Sequence, residues 1–198
     1  MFLDTLIRRN RQFVETAIML HQSGKIPANS YVLDIDTLKE NAKILAENGK
    51  KYGMKVFAMT KQIGRNPVAL QALKEAGIDA CVAVDMMCAR AINTAGLQVG
   101  HLGHLVQVPR AETKAGLNFK PHYWTVFSYN KAQEISEACE DGYEQQVLAR
   151  IFADNDTFYK GHEGGFRAKD ILSVREDLNK LKGIRFAGIT TFTALLYD

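Results

Sequence analysis

At 198 residues, with 46% hydrophobic and 24% charged residues, the chain is long enough for one sizeable core and ordinary in composition for a globular protein. A net charge of +3 with no block of five like charges gives no nucleic-acid footprint, and the densest basic stretch, Arg8-Arg9-Asn10-Arg11, reads as a solvated helix face. No apolar run approaches the length of a membrane span, and three cysteines (Cys81, Cys88, Cys139) without a C-x-x-C pair fit a reducing, cytoplasmic compartment, each as a small buried hydrophobe.

In chain order, Met1 to Gln22 carries Asp4, Arg8, Arg9, Arg11 and Glu15, which breaks up any signal-peptide core. Phe2, Leu6, Phe13, Ala17 and Leu20 recur at helical spacing, which predicts a helix packed on a larger body. The run from Tyr31 to Ile35 predicts a short strand, followed by a helix from about Thr37, where Thr37 and Glu40 have capping-box spacing and Gly49 and Gly53 mark the end. Val56 to Thr60 is the next strand, and Lys61 follows it directly. Asn66-Pro67 then supplies an N-cap and a first-turn proline, with Gly77 as the stop.

Ala80 to Val84 is apolar throughout, Asp85 can cap the helix after it, and Gly96 ends that helix. A weaker strand falls within Val99 to Val108, before a polar connection reaching Pro121. Tyr123 to Phe127 is a strand, with a helix through Cys139, and Gln146 to Phe152 is another strand. A long loop, a helix from Lys169 to Lys182 and a last strand from Ile184 to Thr190 complete the pattern.

Strands without polar alternation, separated by helices, indicate a parallel sheet covered on its faces. Their usual spacing of about 23 to 25 residues matches one βα unit of a (β/α)8 barrel of about 250 residues. No G-x-G-x-x-G follows the first strand, so an α/β fold of TIM-barrel type is favoured over an open doubly wound sheet. Function gathers where such strands end. Lys61, Asp85 and Ser128 follow strands, Arg150 lies inside one with Asp154 and Asp156 just beyond, and Thr191 and Phe192 follow the last.

Lys61 has two readings: a snorkelling side chain, or an imine-forming nucleophile made reactive by partial burial beside Arg150. Arg150, inside an apolar strand, needs an anionic partner, either Asp34 or Asp85 or a ligand's phosphate, phenolate or carboxylate. The loop from Asp154 to Phe166 fails as an EF-hand, because Phe158 and Tyr159 stand at its fifth and sixth positions. Asp154, Asp156, His162 and Glu163 therefore read as solvated loop charges, and no metal is expected. His101 and His104, at i, i+3 in a strand, are expected on opposite faces. Gly164-Gly165 suggests close backbone approach to a ligand or a neighbouring loop, and Met86-Met87 reads as core filler.

VFAMTKQIGRNPVALQALKEAGIDACVAVDMMCARAINTAG, starting at Val56, resembles the fold-type III pyridoxal-phosphate enzymes: alanine racemase, the D-threonine aldolase and D-serine dehydratase group, and the barrel-type decarboxylases. The resemblance, over about residues 30 to 195, fits alanine racemase-like proteins better than alanine racemase itself. It implies that Lys61 holds pyridoxal 5'-phosphate as a Schiff base. VLARIFAD through GHEGGF resembles the fifth barrel strand and its loop, where Arg150 would sit near the cofactor's phenolic oxygen. FAGITTFTA resembles the sixth, where Phe192 (or Thr191) takes the place of a histidine that stacks on the ring. Arg65 replaces the tyrosine found four residues after the lysine in alanine racemases.

The family would place the strand at Tyr31 outside the barrel, so that about six of eight barrel strands are present and the C-terminal β-domain is absent. Residues 1–198 would be one incomplete barrel domain with an N-terminal helix in 1–29, and a homodimer if full length. The implied function is a racemase or epimerase acting on an amino acid, for which the sequence supplies no assigned second base. The alternatives are a non-catalytic pyridoxal-phosphate-binding module, a D-amino-acid aldolase or dehydratase of the same fold, and a cofactor-free aldolase using Lys61 directly.

Overall fold

The computed structural model describes residues 2–192. The side chain of Phe2 and residues 193–195, where the family resemblance ends, lie outside what is described. The N-terminal segment divides into α1 (Phe2–Arg9) and α2 (Arg11–Gln22). Asn10 makes the break: its side-chain oxygen accepts from Phe13 N at 3.1 Å, and its amide donates to Asp34 Oδ2 at 2.7 Å. No residue of α2 is buried, so the expected packed helix is instead a two-helix arm with exposed Ile18 and Met19.

The strand expected at Tyr31 to Ile35 does not form. Residues 30–34 run without a sheet partner, and Tyr31 is 97% exposed. A strand needs a neighbour to take its backbone hydrogen bonds, and among the described residues none lies beside this segment. Asp34 starts a helix instead. Its Oδ1 accepts from Thr37 N at 3.0 Å and its Oδ2 from Thr37 Oγ1 at 2.8 Å, so α3 (Ile35–Lys51) begins ahead of the capping box read at Thr37.

From there strands and helices alternate: β1 (Ala58–Met59), α4 (Pro67–Glu75), β2 (Ala80–Ala83), α5 (Met86–Thr94), β3 (Gln98–Leu102), α6 (Thr113–Asn118), β4 (Tyr123–Val126), α7 (Tyr129–Ala138), β5 (Gln145–Phe152), the short β6 (Phe166–Arg167), α8 (Ile171–Asn179) and β7 (Ile184–Thr190). Every ladder is parallel, in the order β1-β2-β3-β4-β5-β7, with β6 joined to the far end of β5. β1 and β7 do not pair with each other, so the sheet is an unclosed barrel with its helices outside.

The caps read from sequence at Asn66 and Asp85 are the ones used, and Ser128 adds a third that the sequence reading did not assign. Asn66 accepts from Val68 N and Ala69 N with Pro67 in the first turn, Asp85 accepts from Cys88 N at 2.7 Å, and Ser128 accepts from Lys131 N at 3.3 Å. α6, read as a polar connection, is a helix that sets Gly116 against the Trp124 and Leu102 side chains and buries Leu117 in the core. Six residues are too few to show a helical period. One core joins the inner strand residues to Leu70, Ile92, Ile135 and Leu178 of the helices. Cys81 and Cys88 are buried in it and Cys139 is half-buried. Met86 is core, but Met87, one position round the helix, is 70% exposed, which corrects its reading as filler.

Candidate functional site

β1 ends at Met59, and after the buried Thr60 the chain leaves the sheet in a 3-10 turn, Lys61–Ile63. A lysine follows the apolar run because its backbone already lies outside the sheet. Its side chain is exposed rather than partly buried, which corrects the expected burial beside Arg150. It borders a cleft of about 620 Å³ together with Tyr31, Leu33, Gln62 and Asn66. Arg65, with φ at +55°, turns toward α5: its Nε donates to Cys88 Sγ at 2.8 Å, and its Nη2 lies 4.0 Å from Asp85 Oδ2.

Arg150 of β5 is completely buried. Its Nη2 donates to the carbonyl oxygens of His162 at 2.9 Å and Phe192 at 3.2 Å, while Nε and Nη1 are buried without any partner. Its guanidinium carbon lies 5.2 Å from the Phe127 ring centre and 5.6 Å from that of Phe158. Neither expected carboxylate partner reaches it, because Asp34 is committed to Thr37 and Asn10, and Asp85 to the α5 cap. Burial pushes the guanidinium's pKa down, opposed by the charge of Asp156. A buried cation with two free donors is costly on its own and well suited to an arriving anion.

The loop between β5 and β6 closes over this strand. A Cβ on Gly165, where φ is +117°, would stand 2.5 Å from the carbonyl oxygen of Arg150. Of the two readings of Gly164-Gly165, close approach to a neighbouring backbone is therefore the one observed.

Around Arg150 stands a group of rings. Phe192 meets His104 edge-on with centres 5.5 Å apart, and His162 at 5.4 Å on another side. His101 and His104 are not on opposite faces, since their rings lie 5.0 Å apart. β3 stops at Leu102, and Gly103, at φ +73°, swings His104 back over the strand end. His101 Nε2 pairs with Thr125 Oγ1 on β4. Burial, then the neighbouring His104, pushes the His101 pKa down to about 4. His104 is lowered by burial first, then by the charges of Arg150 and Lys61. His104, Arg150 and Phe192 are thus brought together at the strand ends, while Lys61 lines a separate cleft formed by its own turn with Tyr31 and Leu33. From sequence, His104 and His162 are weighed only as metal ligands and set aside, and their place around Phe192 is not foreseen, although His104 follows the end of β3 as Lys61 follows that of β1.

The remaining candidates have other work. Asp154 pairs with Arg167, Asp156 accepts from Ala153 N at 2.7 Å, Ser128 caps α7, and Glu163 and Thr191 are exposed. Among the described residues no group of three His, Cys, Asp or Glu side chains could hold a metal.

An unclosed parallel α/β barrel with a lysine at the end of its first strand and an unpaired arginine on its fifth defines the class of the molecule. The chain belongs to the alanine racemase N-terminal domain family, which it matches over residues 33–198. It is 39% identical over 199 residues to Uncharacterized protein YhfX of Escherichia coli (strain K12), covering all of this chain and 51% of that protein. The chain thus spans about half the length of the curated relative it matches. Among solved structures it is similar to D-threonine aldolase from Filomicrobium marinum (TM-score 0.67, 18% identity, 83% of this chain and 43% of that one). It is also similar to alanine racemase of Clostridium difficile 630 in complex with cycloserine (TM-score 0.51, 22% identity, 64% of this chain and 33% of that one). Among the described residues no helix is long and apolar enough to cross a membrane.

Proposed function

We propose that the chain binds pyridoxal 5'-phosphate covalently through Lys61 and acts on the Cα–H bond of an amino acid, as a racemase or epimerase. The reading rests above all on Arg150, a buried cation whose Nε and Nη1 are unpartnered at the rim that also carries Lys61. Two fixed donors inside an apolar wall fit an anionic oxygen of the cofactor, and no carboxylate of the described residues occupies that role. When bound, the cofactor supplies the electron sink for carbanion chemistry.

The chain's own residues do the rest. Lys61, on an exposed turn, offers its amine to the aldehyde. Arg150, held by two carbonyl oxygens, keeps a positive charge fixed inside the strand end, ready for an anionic oxygen. The Phe192 ring, wedged between two histidines, gives an apolar face for stacking and cannot exchange a proton.

Absorbance spectroscopy tests the reading. Added pyridoxal phosphate should give a band at about 410–430 nm that is lost in Lys61→Ala. No band in the wild-type chain overturns the proposal. A band without deuterium exchange at Cα, across a panel of amino acids, moves the function to a cofactor-binding module.

A further inference from the structure

The chain just after β1 carries two cations, Lys61 and Arg65, and the proposed reaction uses only the first. We propose that Arg65 takes the carboxylate of the amino acid brought to Lys61, and so selects amino acids over amines. The inference rests on the reading that Lys61 condenses with an aldehyde and that the chain acts on an amino acid.

Geometry holds the two residues to one cavity. Lys61 and Arg65 line the same cleft of about 620 Å³, with Tyr31, Leu33, Gln62 and Asn66 among its other walls. No aspartate or glutamate among the described residues lines it. The backbone fixes their spacing. Arg65 N donates to the carbonyl oxygen of Thr60 at 3.1 Å, and Gly64 N to that of Lys61 at 3.2 Å. These bonds close a tight loop through two left-handed residues, Gly64 at φ +61° and Arg65 at φ +55°.

The guanidinium is anchored on one side and open on the other. Nε donates to the buried sulfur of Cys88 at 2.8 Å, which steadies the plane of the fork. Nη2 lies 4.0 Å from Asp85 Oδ2, beyond hydrogen-bonding length, and the other oxygen of Asp85 is spent on Cys88 N at 2.7 Å. Among the described residues, neither terminal nitrogen of Arg65 is hydrogen-bonded. An arginine that only tied the turn to α5 would close on its carboxylate, as Arg167 does on Asp154 at 2.5 Å. A steadied plane with unused terminal N–H groups suits the two oxygens of one carboxylate. The side chain is 31% exposed, so an anion in the cleft reaches it.

Charge points the same way. The two cations draw an anion into the cleft. Condensation removes the charge of Lys61, and Arg65, which stays protonated, is then the cation left on the cleft wall. An amino acid that reacts through its nitrogen carries its carboxylate two bonds away, beside the same turn.

The test begins with the full chain free of cofactor. The Nε–H resonance of Arg65, assigned by its absence in Arg65→Asn, is followed during titration with propionate, propionamide and inorganic phosphate. Asparagine tolerates a left-handed backbone, so the variant removes the charge without straining the turn. Propionate should shift the resonance saturably and propionamide should not. A resonance that responds to phosphate but not to propionate assigns Arg65 to a phosphate group and overturns the inference, as does one that responds to nothing. With pyridoxal phosphate bound, amino acids should perturb the band at about 410–430 nm only at concentrations on the order of tenfold higher in Arg65→Asn, while their amides act as in the wild type. An equal change for acids and amides shows a structural role and overturns the inference. Absence of any band in the wild type overturns the reading of Lys61, whereas the Arg65 resonance reports carboxylate binding without the cofactor, so the two failures are told apart.

Discussion

Gln145 and Arg150 stand at the start and toward the end of the same strand, β5, and both are fully buried. The Gln145 amide is completely engaged: its oxygen accepts from Tyr143 Oη at 3.0 Å, and its nitrogen donates to the carbonyl oxygens of Pro121 at 3.0 Å and Gln146 at 2.9 Å. Arg150 carries a full charge and leaves two of its nitrogens without partners. Buried polar groups in native proteins are almost always satisfied, so the first residue explains itself within the fold and the second does not. On this one strand, the polar residue at the start is satisfied within the fold, while the one toward the end leaves two nitrogens open.

The sharpest way to break this comparison is at Gly165. In Gly165→Ala a Cβ is forced against the Arg150 carbonyl at 2.5 Å, in a backbone region that side chains avoid. Thermal or denaturant unfolding should show a loss of about 3 kcal/mol. A loss under about 1 kcal/mol would show that the loop does not clamp Arg150.

Acid is the next lever. The folded pKa of His101, pushed down to about 4, lies below its usual 6.5, so the unfolded chain binds the extra proton between those values. Stability is therefore fully present above about pH 6.5 and declines as pH falls toward about 4, by ~3 kcal/mol at most. Urea titrations at several pH values measure that slope, and His101→Gln should flatten it.

Gln145→Ala comes third, with an expected loss of about 2 kcal/mol, because the Pro121 carbonyl and Tyr143 hydroxyl lose their partner. Its affinity for pyridoxal phosphate should stay at the wild-type value. Arg150→Met closes the series. Stability should change by less than about 1 kcal/mol or rise, because an uncompensated buried charge is removed. Affinity for pyridoxal phosphate should fall on the order of tenfold or more. If Arg150→Met instead destabilises the chain while binding is untouched, the two ends of β5 are alike and the comparison fails.

The repeating elements were legible because each is announced locally. Asn66-Pro67 and Asp85 cap helices in the way their side chains allow, and the apolar runs at Ala80, Tyr123 and Gln146 can only be buried strands. Tyr31 to Ile35 misled because its pattern suits a strand while, among the described residues, no neighbouring strand receives it. At the site, Lys61 and Arg150 stood out as charges at the edge of, or inside, apolar runs. His104 did not: a strand period puts His101 and His104 apart, and only the left-handed turn at Gly103 brings their rings together.

Most of the alternation of strands and helices, the caps at Asn66 and Asp85, and the family resemblance were thus legible in the sequence, because hydrophobic period and capping act between residues a few positions apart. Which polar atoms remain unsatisfied, and which rings meet at the barrel mouth, was decided by the tertiary structure alone. A missing partner is a property of three-dimensional neighbours, and those of Arg150 come from residues 127, 158, 162 and 192.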